Sequence, residues 1–178
     1  MNNIVKILTT PMGDDDINEY LKGVNILKYS QLKDYNNIEE LLPTHKSYFI
    51  ILYEFEPNYG HFCCCMRDKN NNIIYFDSYG MPPSQPLKEN TEEVNIQLGQ
   101  DKPYLNMLFD KTPLPVLYNG YQFQNDNSDI ATCGRWCILI IKCIKENATL
   151  QEFIKTFKDI KKKQVSPDLV VSKIITKT

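Results

Sequence analysis

Hydrophobic positions along this chain fall into two rhythms. Residues 47–55 are rich in β-branched and aromatic side chains and predict a buried strand. Pro57-Asn58-Tyr59-Gly60 is a turn signal. Residues 61–67 predict a second strand, the polar run 68–72 a tight connection, and 73–77 the antiparallel partner. A hairpin of this length brings positions 61 and 77 to the same end. Residues 79–100, rich in Pro, Asn and Glu, read mostly as loop, 103–109 as a short helix and 116–124 as a segment containing a strand. A polar loop follows over 125–131.

The second rhythm is helical. The run Ile138-Leu139-Ile140-Ile141 lies inside a predicted buried helix over about 133–146. Thr149-x-x-Glu152 is a capping box for a further helix that reaches Lys161-Lys162-Lys163. Asp16-x-x-Glu19, with Ile17, Tyr20 and Leu21, predicts a short amphipathic helix. Asn37-x-x-Glu40 repeats the signal before Leu41-Leu42-Pro43, where proline ends the element. Residues 169–175 fit a strand or a short helix. Neither an internal repeat nor a long linker divides the chain. It reads as one domain over 1–178, with an N-terminal helical segment (1–45), a core (46–145) and a Lys-rich C-terminal helix and tail (146–178).

Composition narrows the class. With 178 residues, 42% hydrophobic and 24% charged, the chain can bury a proper core and is not of the disordered type. Its longest apolar run, 137–141, is far too short to cross a membrane. The first ten residues lack the sustained apolar segment of an export signal, so a non-secreted, reducing setting with six free thiols is expected. No CxxC pair exists and His45 stands alone, so no metal site and no cofactor are expected. Residues 142–178 hold nine lysines against four carboxylates, +5, within a chain of net charge −2. Residues 1–141 therefore carry −7, and the lysines read first as a solvated helix face.

The candidate chemistry centres on Thr132-Cys133-Gly134, where the polar loop meets the buried helix. A helix N-terminus presents unpaired N–H groups and partial positive charge, which favour a thiolate at Cys133. His61 would form the thiolate–imidazolium pair and return its proton to the leaving amine. Asp77 would hold the other ring nitrogen. The Cys133 N–H would be one oxyanion donor, and Gln124 the second, with Gln122 as the alternative. Gly60 and Phe62 flank His61. Gly134 would allow close approach beside the nucleophile, and Trp136 and Phe62 would either wall the site or pack the core. Cys63, Cys64 and Cys65 read as strand core residues, and Cys137 and Cys143 as buried positions of the helix.

The order His61, Asp77, Gln124, Cys133-Gly134 resembles the clan that contains the adenovirus maturation protease and the ubiquitin-like-protein proteases. Asn58-Tyr-Gly-His61, Phe76-Asp-Ser-Tyr-Gly80 and Thr132-Cys-Gly-Arg-Trp136 look like the proteases of virophages and related double-stranded DNA viruses. The likeness spans about residues 40–145. Phe62 stands where the clan usually has Trp, and Gln124 lies nine positions before Cys133, further than in the best-known members.

The resemblance implies an α+β fold, a papain-like cysteine protease variant. In it a mixed central β-sheet is flanked by helices, and the nucleophile sits at the N-terminus of a buried helix. It also implies a thiol endopeptidase of a virion or of the host cytoplasm or virus factory. Capsid precursor proteins would be its substrates, often cut after small residues such as glycine. The expected state is a monomer without membrane attachment, and the Lys-rich C-terminal region leaves room for weak stimulation by DNA. Two other readings share these residues: a protease that removes ubiquitin or ubiquitin-like modifiers, and a non-catalytic virion protein that keeps the fold.

Overall fold

The computed structural model, which describes residues 2–177, contains a five-stranded mixed sheet in sequence order. The strands are β1 (Asn25–Lys28), β2 (Tyr48–Glu56), β3 (Tyr59–Arg67), β4 (Ile73–Phe76) and β5 (Val116–Tyr118). β2, β3 and β4 run antiparallel as the expected meander, while β1 and β5 join its two edges in parallel. Helices α1 (Asn2–Thr9), α2 (Asp14–Tyr20), α3 (Glu92–Gln97), α4 (Tyr104–Phe109), α5 (Cys133–Lys145), α6 (Leu150–Lys162) and α7 (Pro167–Ile174) complete the α+β fold.

Strand pleating sorts the central residues to two faces. Ile50, Leu52, Phe62, Cys64, Met66, Ile74 and Phe76 face the core that α5, α6 and α7 cover. Phe49, Ile51, Tyr53, Cys63, Cys65, Ile73 and Tyr75 face a second core closed by Tyr29, Leu32, Leu105 and Leu108. Both faces are buried, so β2–β4 read as nearly continuous apolar runs rather than alternating ones. The consecutive cysteines serve both sides: Cys63 and Cys65 point one way, Cys64 the other.

Several expectations shift. The helix at 14–20 is capped by Gly13, and Asp16 is its third residue, with its carboxylate accepting from the Gly13 N–H at 2.8 Å. Residues 79–100 contain α3, started by Thr91, whose hydroxyl accepts from the Val94 N–H. Residues 169–175 fall mostly in α7, capped by Ser166 with proline at its first position. The strand expected within 116–124 ends at Tyr118. Gly120 has φ +52°, and the Asn119 side chain, rather than a ladder, serves the next backbone groups. Gln122 and Gln124 therefore lie in coil and do not share a strand face.

Candidate active site

α5 places Cys133. Its apolar stripe is buried along nearly its whole length, from Gly134 to Ile141, so the helix axis is fixed against the sheet. Cys133 is the first helical residue, and its side chain stays partly exposed. Gly134 is buried. A Cβ there would lie 3.3 Å from the Met12 side chain and 3.6 Å from those of Ile17 and Phe62, so the glycine serves helix packing, not substrate approach.

β3 and the end of β4 supply the other two groups. Cys64–Phe76 is the last pair of the β3–β4 ladder, and Asp77 to Gly80 turn just beyond it, which brings Asp77 and Tyr79 beside His61. The His61 Nε2 and Asp77 Oδ1 lie 2.8 Å apart, at side chains 7% and 1% exposed. With Nε2 committed to Asp77, the nitrogen left for Cys133 is Nδ1. Asp77 is itself braced: its Oδ1 also accepts from the Tyr79 N–H at 2.9 Å. The Asn119 side chain accepts from its N–H and donates to its carbonyl, at 3.1 and 2.6 Å. A tight turn closes at Gly80, where φ is +75° and a Cβ would strike the Tyr121 backbone. On the other side, Gly60 crosses the β2 bulge so closely that a Cβ would collide with the Tyr53 carbonyl.

The electrostatics suit a thiolate–imidazolium pair. Burial pushes the Cys133 thiol up. The hydrogen bond and charge of His61 outweigh it, with backbone hydrogen bonds from Phe62 and Gly134, and bring Cys133 below its ordinary 9.0. Burial pulls His61 down. The adjoining Cys63 and hydrogen bonds to Asp77, Cys133 and Cys63 together raise it well above 6.5. Cys63 is itself buried beside Asp77, and its thiol is pushed up to about 12. The thiolate exists above the lowered Cys133 value and the imidazolium below the raised His61 value. Iodoacetamide is therefore expected to label Cys133 at a near-constant rate through neutral pH. A rate that rises only as pH passes 9 contradicts the pairing.

The glutamines separate. Gln124 is 2% exposed. Its Oε1 accepts from Ser78 Oγ at 2.8 Å, and its Nε2 donates to the Ile130 carbonyl at 2.8 Å and the Tyr79 hydroxyl at 3.1 Å. Gln122 is exposed, donates to the Gln124 carbonyl at 3.0 Å and lines a cavity with His61 and Asp77. Gln124 thus belongs to the packed layer behind Cys133, and Gln122 to the open side of His61.

Tyr79 is a site residue that the linear reading left without a role. Its ring lies over His61 with centroids 5.0 Å apart, and its hydroxyl meets Gln124. The available signal was its place two residues past Asp77, in the Asp77-Ser-Tyr-Gly80 stretch that follows the hairpin. Asn119 had no such signal, because it comes from a different strand end. Trp136, by contrast, is fully buried among Phe123, Phe153 and Phe157 and lines the core rather than the site.

Two cavities open beside these groups, one at Cys133 and one at His61 and Asp77. One of about 540 Å³ is lined by Met12, Lys28, Asn58, Gly60, Phe62 and Cys133. Another of about 360 Å³ is lined by Phe55, His61, Asp77, Tyr79, Met81 and Gln122. His61, Cys63 and Asp77 also form the one cluster of metal-ligating types among the described residues. There the short His61–Asp77 hydrogen bond already joins two of its three donors. No helix among the described residues is long and apolar enough to cross a membrane.

No protein-family model matches the chain. The uncharacterized protein V9 of the Sputnik virophage is 35% identical to it over 161 residues, which span 89% of this chain and 90% of that one. Among solved structures, the ASFV pS273R protease aligns with 83% of the chain at a TM-score of 0.49 and 16% identity. The chain spans 63% of that protein's length.

Proposed function

The chain belongs to one family with protein V9 of the Sputnik virophage, and on that footing we propose that it is a viral cysteine endopeptidase that cuts capsid precursor proteins during maturation. The observation that carries this reading is the buried His61–Asp77 pair at 2.8 Å, with Cys133 at the first turn of α5 and its thiol pKa lowered by the same imidazole.

The Cys133 thiolate attacks the scissile carbonyl carbon, and the carbonyl oxygen becomes an oxyanion. The Cys133 N–H at the head of α5 meets it, with a glutamine amide from the 122–124 segment as second donor. His61 passes its proton to the leaving amine as the C–N bond breaks, which leaves a thioester on Cys133. Water, deprotonated by His61, then releases the acid and restores the thiolate. Asp77 keeps the ring oriented and stabilises the imidazolium in both halves.

The test is co-expression with the capsid precursor, followed by mass spectrometry of the products. Wild type is expected to yield defined fragments, and Cys133→Ala none while retaining the fold. A wild type that leaves the precursor intact but turns over fluorogenic ubiquitin supports a modifier-removing protease instead. Equal thiol-probe labelling of wild type and Cys133→Ala, with no proteolysis by either, supports a non-catalytic virion protein.

A further inference from the structure

Asp168 is a buried carboxylate to which the scheme above assigns nothing. It lies in the first turn of α7, 1% exposed, far along the chain from the motifs that mark the site. No Lys, Arg or His forms an ion pair with it among the described residues. A charge in such a place is costly unless hydrogen bonds replace its hydration. Three neutral donors do so. The Asn125 N–H donates to Oδ2 at 2.8 Å, and Thr132 Oγ1 and Trp136 Nε1 donate to Oδ1 at 2.6 and 3.0 Å.

The positions of those donors matter more than their number. Asn125 directly follows Gln124, Thr132 directly precedes Cys133, and Trp136 lies one turn into α5. A single carboxylate therefore clasps both ends of the 125–132 segment and ties them to the nucleophile helix. Between the ends the chain runs mostly exposed, held by short side-chain turns at Asn125 and Asn127. Within it one tie spans the loop, from the Gln124 amide to the Ile130 carbonyl at 2.8 Å, and it reaches neither Thr132 nor α5.

We propose that Asp168 is a positioning residue for acyl transfer. It holds the Gln124 segment and the first turn of α5 at the separation that the oxyanion requires, which makes α7 part of the catalytic machinery. This rests on the endopeptidase reading of Cys133.

Asp168→Asn tests it. Its carbonyl oxygen can still accept from Thr132 and Trp136, but its NH₂ then faces the Asn125 N–H and that tie is lost. On a peptide spanning the cut site mapped in the capsid precursor, kcat is expected to fall roughly 10- to 100-fold, with KM nearly unchanged. The pH profile of Cys133 alkylation is expected to match wild type, because His61 and Asp77 are untouched. A purely structural role would lower kcat and the labelled fraction together, and cooling would restore both. That pattern, or a folded Asp168→Asn with wild-type kcat, overturns the proposal. Should Asp168→Asn fail to fold, Thr132→Val removes one arm of the clasp, and the same kcat-against-alkylation split decides. A wild type that cuts no precursor, like Cys133→Ala, removes the endopeptidase reading and this proposal with it. A wild type that cuts, alongside an equally fast Asp168→Asn, removes only the proposal.

Discussion

His61→Ala is expected to lower kcat/KM by roughly 1,000-fold or more, the largest functional loss of any change outside Cys133. The side chain does three things at once. Its hydrogen bond and charge lower the thiol pKa, and on the endopeptidase reading it also carries the proton to the leaving amine and deprotonates the hydrolytic water. Without it, burial alone acts against the thiolate, and Cys133 moves back up. Alkylation at neutral pH should therefore slow in the variant and recover only in alkaline solution, while the wild-type rate stays level. The fold should survive, since His61 lies near the start of β3 and its hydrogen bond to Asp77 joins side chains outside the strand ladder. Circular dichroism checks the fold, and steady-state kinetics with pH-resolved labelling checks the chemistry. An alkylation profile identical to wild type would separate His61 from the thiol and dismantle the mechanism.

Trp136→Ala is expected to have the largest effect on stability, a loss of about 3–5 kcal/mol in urea unfolding. Trp136 is fully buried, with Phe157 and Phe123 rings centred 4.8 and 5.2 Å away, and its indole N–H is bonded to Asp168. Truncation opens a cavity where α5, α6 and the 122–124 segment meet and removes one donor from a buried carboxylate. Against a total of about 5–15 kcal/mol for a domain, this leaves little margin. A measured loss below about 1 kcal/mol would mean that the aromatic cluster closes over the gap and is not the keystone of this face. Trp136→Phe, which keeps an aromatic ring but lacks the indole N–H, separates packing from the hydrogen bond.

The hairpin was the most legible part of the fold. Its two strands and polar connection carry local signals, and the separation of positions 61 and 77 dictates that they meet. The buried helix after Cys133 was legible for the same kind of reason, because its apolar run and preceding polar loop are contiguous in the chain. α3 was harder to see, since six residues among Pro, Asn and Glu give little periodicity and its start depends on one Thr91 cap. The segment 116–124 does contain the expected strand, but only its first three residues, Val116–Tyr118, join the sheet. Aromatic and polar residues alternate there much as in a strand, but Asn119 leaves the ladder to brace Asp77, and Gly120 turns the chain inward.

The sequence by itself determined the chemical inventory: a thiol at the head of a buried helix, an imidazole and a carboxylate on one hairpin, and two nearby glutamines. Those follow from local periodicity and residue chemistry, which need no distant contacts. Only the tertiary structure decided how the inventory divides. It set Gln124 inward against Ser78 and Ile130 and Gln122 outward beside His61, moved Gly134 and Trp136 from the site to the core, and brought Tyr79 and Asn119 to the imidazole and its carboxylate. It also joined Asp168, from the last helix, to both ends of the loop before Cys133. Such partners are chosen by burial, since an inward-facing polar group must find whichever donor or acceptor the fold brings within reach, however far away it lies in the chain.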